Sequence, residues 1–152
     1  MNKPRPFRFG VSVHGSKSRA EWRGIARHAE ALGYSTLLIP DHLGDQLSPI
    51  PALVAAADAT STLRVGSLVF DNDFRHPVML AKEAATLDVL SEGRLELGLG
   101  AGWLKPEYER SGMPLSVRAY ASREWKRQSR LSRACSRMDQ SISQASTIPS
   151  PV

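Results

Sequence analysis

Apolar and polar positions switch between two periods along this chain. Residues 7–13, FRFGVSV, alternate aromatic or aliphatic with small or polar side chains, the two-residue period of a β-strand that His14-Gly15 ends. The spacing then changes to three and four. Trp22, Ile25, Ala26, Ala29 and Leu32 share one helical face, with Ser18 as N-cap, Glu21 three residues on and Gly33 as the stop. Residues 35–40, STLLIP, form a short apolar run of strand length, and the Ala-rich stretch 49–60 predicts a second helix. A third strand is expected over 63–70, LRVGSLVF. Pro77 suits a first helical position, and Leu80, Ala84, Leu87 and Leu90 mark one side of a third helix. Gly93 ends that helix and Arg94 opens a fourth strand, where Leu95, Leu97 and Leu99 alternate with Glu96, Gly98 and Gly100.

The order β-α-β-α-β-α-β implies parallel strands with right-handed crossovers, covered on both faces. The βα unit recurs about every 28–30 residues. Two architectures fit, a doubly wound open sheet or half of a (β/α)8 barrel. The first strand's turn, VSVHGSKSRAEW, has no G-x-G-x-x-G, which argues against dinucleotide binding. The spacing of Gly98, Gly100 and Gly102 imitates that fingerprint. It lies partly within a strand, however, and leads to WLKPEYE, where Pro106 is expected to interrupt any immediate helix.

Composition changes the picture in one place. Hydrophobic residues at 41% and charged ones at 23% describe a globular chain. Residues 1–115 hold thirteen basic and thirteen acidic side chains. Residues 116–152 hold seven basic against two acidic, so the whole net charge of +5 belongs to that stretch. Its apolar residues (Tyr120, Trp125, Leu131, Met138) make no continuous stripe, so it is expected to be disordered or loosely helical. Seven basic residues without a nucleic-acid motif make a nucleic-acid binder a weaker reading, whose mark would be steep salt dependence. The single Cys135 offers no internal disulfide. The N-terminus has no apolar core of a signal peptide, and no stretch approaches a membrane span, so a cytoplasmic protein without membrane contact is expected.

Polar or small groups follow every strand: His14, Asp41-His42, Asp71-Asn72-Asp73, and residues 100–103. Ligands of parallel α/β folds bind at the carboxyl ends of strands, so these four endings point to one shared mouth. His42 there could exchange a proton; its alternative is a turn and cap. Asp71, Asn72 and Asp73 fit a solvated loop, or an Asn amide on a ligand, better than a metal site. Gly100, Ala101 and Gly102 are small, and the two glycines present backbone without a Cβ, which admits a ligand closely. His76 before Pro77 orients a helix start. Trp103 is a lid over an apolar ligand face or a plug for the mouth.

Four motifs in this order and spacing, PDH at 40–42, RHP at 75–77, DVLSEGR at 88–94 and LGLGAGW at 97–103, resemble the luciferase-like monooxygenase superfamily, in its branch using the deazaflavin coenzyme F-420. The likeness covers about residues 7–114, including EYERSGMP. It implies the N-terminal half of a (β/α)8 barrel over residues 1–115, binding coenzyme F-420 or FMN and transferring a hydride to or from a small-molecule substrate. It implies His42 near the reactive ring carbon with Asp41 beside it. A non-prolyl cis peptide at Leu68–Val69 would lie behind the ring, Asn72 at its polar edge, and Gly100, Ala101 and Gly102 against the cofactor. It also implies a homo-oligomer through the second and third helices, aided by the small residues of 52–59. The likeness stops near Leu115, after four of eight strands. The Ser/Arg-rich remainder reads as sequence in a shifted frame, with a natural basic tail as the competing reading. Impaired catalysis, or a non-catalytic self-associating remnant, are the corresponding expectations.

Overall fold

Ser18 starts the first helix as its chemistry requires: its Oγ accepts the Glu21 N–H at 3.1 Å, while Glu21 Oε2 takes the Lys17 N–H at 2.8 Å. A computed structural model, describing residues 7–115, shows the alternation expected. β1 is Gly10–Ser12, α1 Arg19–Ala31, β2 Thr36–Ile39, α2 Pro49–Ala59, β3 Arg64–Ser67, β4 Phe70–Asp71, α3 Pro77–Leu90, β5 Leu95–Glu96, β6 Leu99–Gly100 and α4 Lys105–Ser111. A single 3-10 turn, Asn72–Phe74, follows β4. The tail 116–152 and Cys135 lie outside the described residues.

Every strand pair is parallel. β1, β2, β3 and β5 form one sheet in that order, and β4 pairs with β6 in a second ribbon. Each of the two expected long strands is therefore two short ones. The strand read over 63–70 breaks at Leu68–Val69, a cis peptide bond, and resumes as β4. Its neighbour breaks between Glu96 and Leu99, and Phe70 N–H donates to Gly98 O at 2.8 Å to restart the pairing. Two-residue alternation runs unchanged through the break at 96–99, and Leu68, Val69 and Phe70 read as one continuous apolar run, so periodicity marks neither break.

The core lies between sheet and helices: Trp22, Ala26, Leu37, Ile39, Leu53, Ala56, Leu63, Val65, Phe70, Leu80 and Leu87 are buried together. Trp22 donates its indole N–H to Ala52 O at 2.8 Å, satisfying its one polar atom inside that core. Ala52, Ala56 and Ala57 are buried there too, where small side chains let α1 and α2 approach. Two members of the expected helical stripes are exposed, Leu32 at 62% and Leu90 at 60%. Leu32 lines an open groove between α1 and β1 with Val11, Val13, Ile25 and Tyr34. No helix of the described residues is long and apolar enough to cross a membrane.

Two side chains tie the layers together at the base. Arg94 sends its guanidinium to Ala57 O, Leu63 O and Ser91 O at 2.7–2.9 Å, meeting carbonyls at the end of α2 and before β3. Glu30 Oε1 accepts the backbone N–H groups of Ser61, Thr62 and Leu63. Those bonds, Thr62's first, hold its carboxyl down at about 2, from an ordinary 4.5. A depressed folded pKa means stability present above pH 4.5 and lost as pH falls toward 2. Glu30→Gln is expected to cost roughly 2 kcal/mol at pH 7, and the wild-type advantage should vanish over that acidic window. Denaturant melts of both proteins at several pH values would check it, and a pH-independent difference would refute it.

Candidate functional site

The carboxyl ends of the strands converge on Asp41. Its side chain is 3% exposed and receives both guanidinium branches of Arg75: Nη1 on Oδ2, and Nη2 on Oδ1 at 2.9 Å. Oδ2 also accepts the Asp71 N–H at 2.9 Å. One carboxylate thus joins the end of β2 to β4 and to the loop before α3. Arg75 is stacked 5.6 Å from the Phe70 ring centroid. Burial works against its charge, but the Asp41 carboxylate outweighs that and raises its pKa. The PDH and RHP motifs are therefore two halves of one buried ion pair. Asp41 organises the mouth with both oxygens engaged by the protein itself. The rest of RHP starts α3: His76 Nδ1 accepts the Val78 N–H at 3.3 Å, and Pro77 is the first helical residue.

A second set of contacts comes from α4, which the sequence reading missed. Pro106 lies in its first turn, where its missing N–H has no helical partner to lose. The next residues, Glu107 and Tyr108, are buried at 4% and 2%. Glu107 Oε2 lies 3.0 Å from His42 Nδ1, and Oε1 accepts the Leu43 N–H at 3.1 Å. Trp103 meets the His42 ring edge-on, centroids 6.1 Å apart and planes at 82°. The indole is 73% exposed, so it walls the histidine and plugs nothing among the described residues.

Tyr108 fastens α4 on its other side. Its hydroxyl donates to Asp71 Oδ2 at 2.9 Å and stands 3.2 Å from Asp73 Oδ2. Burial first, then the hydrogen bond to Asp71, pushes the phenol far above its ordinary range. Burial likewise raises the Asp71 carboxyl, against the hydrogen bonds from Asp73 and Tyr108 that favour its charge. Beside this cluster the Asn72 Oδ1 is buried without a partner among the described residues. Unsatisfied buried acceptors are rare in folded proteins.

The remaining predicted residues form a ledge. Leu68 and Val69 are 57% and 36% exposed on the bulge, and Val69 lies against the backbone of Gly98 and Gly100. A Cβ on Gly100 would overlap the Val69 side chain, and one on Gly102 would overlap the Tyr108 hydroxyl. The chain fills both spaces itself, so a packing demand already accounts for the missing side chain at each of these two glycines. Ala101 is exposed between them. His14 is exposed at the end of β1 and has no hydrogen-bond partner among the described residues.

The sequence model of luciferase-like monooxygenases matches residues 5–131. The chain belongs to that family. The matched range runs past residue 115, where the motif resemblance ends. An uncharacterized protein of Mycobacterium tuberculosis is 33% identical over 140 residues, covering 77% of this chain and 50% of its own. The coenzyme F-420-dependent tetrahydromethanopterin reductase of Methanopyrus kandleri superposes with a TM-score of 0.64 at 30% identity, over 70% of this chain and 30% of that one. The oxygenase component of a flavin-dependent trigonelline monooxygenase from Acinetobacter baylyi is 41% identical over 66 residues, 42% of this chain and 18% of its own. Relatives in the family thus include both deazaflavin- and flavin-dependent enzymes, and this chain spans half or less of the length of each of these three. Its parallel α/β fold is that of part of those enzymes.

Within the family's frame, the structure sets Asp41, His42, Leu68, Val69, Asn72, Gly100 and Gly102 at or just beyond the carboxyl ends of parallel strands. It adds Arg75, Glu107, Trp103 and Tyr108. The signal for Glu107 and Tyr108 was the sequence KPEYE, a first-turn proline followed by a carboxylate.

Proposed function

We propose that the chain is the flavin- or deazaflavin-ring-binding part of an oxidoreductase, taking coenzyme F-420 or FMN at the mouth and a small organic substrate beside it. The observation that carries this reading is the buried, unpartnered Asn72 Oδ1 next to the apolar ledge of Leu68 and Val69. The pyrimidine-like edge of a flavin or deazaflavin carries an N–H that suits this acceptor, and the flat ring suits the ledge. Ring and residues therefore fit. When bound, the cofactor supplies a ring position that gives or takes a hydride. His42 stands half-exposed on the same mouth, able to hold or release a proton at Nε2, while Trp103 limits water on one side. Gly100, Ala101 and Gly102 continue the ledge beside Val69. The likeness to an F-420-dependent and a flavin-dependent relative supports the choice of these two cofactors.

We further expect a homo-oligomer. Phe9 O and Val13 N–H are bonded toward β2, so Gly10 and Ser12 turn their backbone groups to the open side of the sheet, beside exposed Phe7 and Phe9.

Titrating the purified chain with F-420 and with FMN, followed by ring fluorescence, tests the assignment. Saturable micromolar binding of one cofactor is expected, weakened about tenfold or more by Asn72→Leu, which removes the acceptor and keeps the volume. Light scattering on the same samples reads the assembly. Folded protein that binds neither cofactor would refute the proposal.

A further inference from the structure

Glu107 is buried, has His42 as its one basic contact among the described residues, and lies on a helix held in place by a different residue. We propose that Glu107 is a positioning residue for His42, fixing the imidazole as the Nδ1–H tautomer and leaving Nε2 as its one open proton site. This deepens the reading of the mouth given above and rests on it only for what Nε2 then faces.

The geometry leaves little freedom. A carboxylate has no proton to donate, so an imidazole nitrogen 3.0 Å from Glu107 Oε2 must carry the hydrogen of that bond. The other oxygen cannot swing away, because Oε1 holds the Leu43 N–H at 3.1 Å. One residue after the carboxylate, Tyr108 anchors α4 to Asp71 and Asp73, so Glu107 is presented to His42 by the fold and does not depend on His42 for its place. Trp103 bounds the ring edge-on. Nε2 has no hydrogen-bond partner among the described residues, and the side chain is 31% exposed. A histidine oriented through Nδ1 by a buried carboxylate works through its other nitrogen, the logic by which acids orient catalytic imidazoles.

An isosteric exchange separates this role from a merely structural one. In Glu107→Gln the Leu43 N–H still requires an acceptor, which holds the amide oxygen at the Oε1 position. The amide NH2 then faces His42 Nδ1, which must accept, and the ring proton moves to Nε2. Packing is unchanged and the tautomer is reversed.

The experiment is nitrogen NMR of the full chain labelled at histidine, at mildly alkaline pH where an imidazole is neutral. His42→Gln assigns the signal among the four histidines. Wild type is expected to show a protonated Nδ1 and a bare Nε2, and Glu107→Gln the reverse. Glu107→Asp, one carbon shorter, should give an averaged pair. A bare Nδ1 in wild type overturns the proposal without any variant, as does Glu107→Gln with the wild-type pattern. Failure of both cofactors to bind would remove the functional reading and leave the tautomer result standing, so the two failures are distinguishable.

Discussion

Asp41→Ala is expected to destabilise the chain by about 3–5 kcal/mol, because it strands a buried guanidinium. Arg75 is 19% exposed at its side chain and has both its described charge-paired branches on Asp41. The same substitution orphans the buried Asp71 N–H. For a chain of 152 residues, a loss of that size lowers Tm by roughly 6–20 °C. Arg75→Ala should cost less, since Asp41 keeps the Asp71 N–H and regains some water. In the double variant the penalty should fall below the sum of the two, because the stranded charge is gone. Thermal and urea unfolding of all three variants would measure this. An Asp41→Ala loss within about 1 kcal/mol of wild type would mean that water reaches Arg75 and the pair is a surface contact.

That ion pair also shows what the sequence could reveal and what it could not. Asp41 and Arg75 are 34 residues apart, and nothing local to PDH or RHP announces that they meet. Local chemistry was legible where it is decided locally. Ser18 and Gly33 bound α1, and Pro77 with the His76 cap opens α3, each within a residue or two of expectation. Periodicity found the helical faces but not their covers, which is why Leu32 and Leu90 sit in the right stripe and in solvent. The cis bond at Leu68–Val69 came from family likeness, since no propensity favours it. Pro106 was misread because a proline breaks a helix interior and suits a helix start, and only position tells the two apart. Losing α4 lost Glu107 and Tyr108, so the mouth was read as strand endings without the helix that closes over them.

Gly102→Ala is the counterpart test for that helix, and should destabilise by about 3–5 kcal/mol through two separable causes. Gly102 has φ of +72°, a left-handed backbone that costs an L-residue roughly 1–2 kcal/mol. Its missing Cβ leaves the room occupied by the Tyr108 hydroxyl, so alanine must push the phenol off Asp71 and Asp73. Displacing a buried hydroxyl from a carboxylate adds about 1.5–3 kcal/mol. The effect should spread to the mouth, because α4 also carries Glu107: the His42 and Leu43 contacts should loosen while the Trp22, Leu37 and Val65 core stays closed. Amide exchange would show this as faster opening at Leu43 than at Val65. A double-mutant cycle divides the two causes. Tyr108→Ala is itself costly, but it removes the group that the new methyl would strike. In that background Gly102→Ala should cost only the backbone portion, roughly 1–2 kcal/mol. Equal penalties in both backgrounds would mean that Tyr108 yields freely, and that the glycine is there for its φ alone.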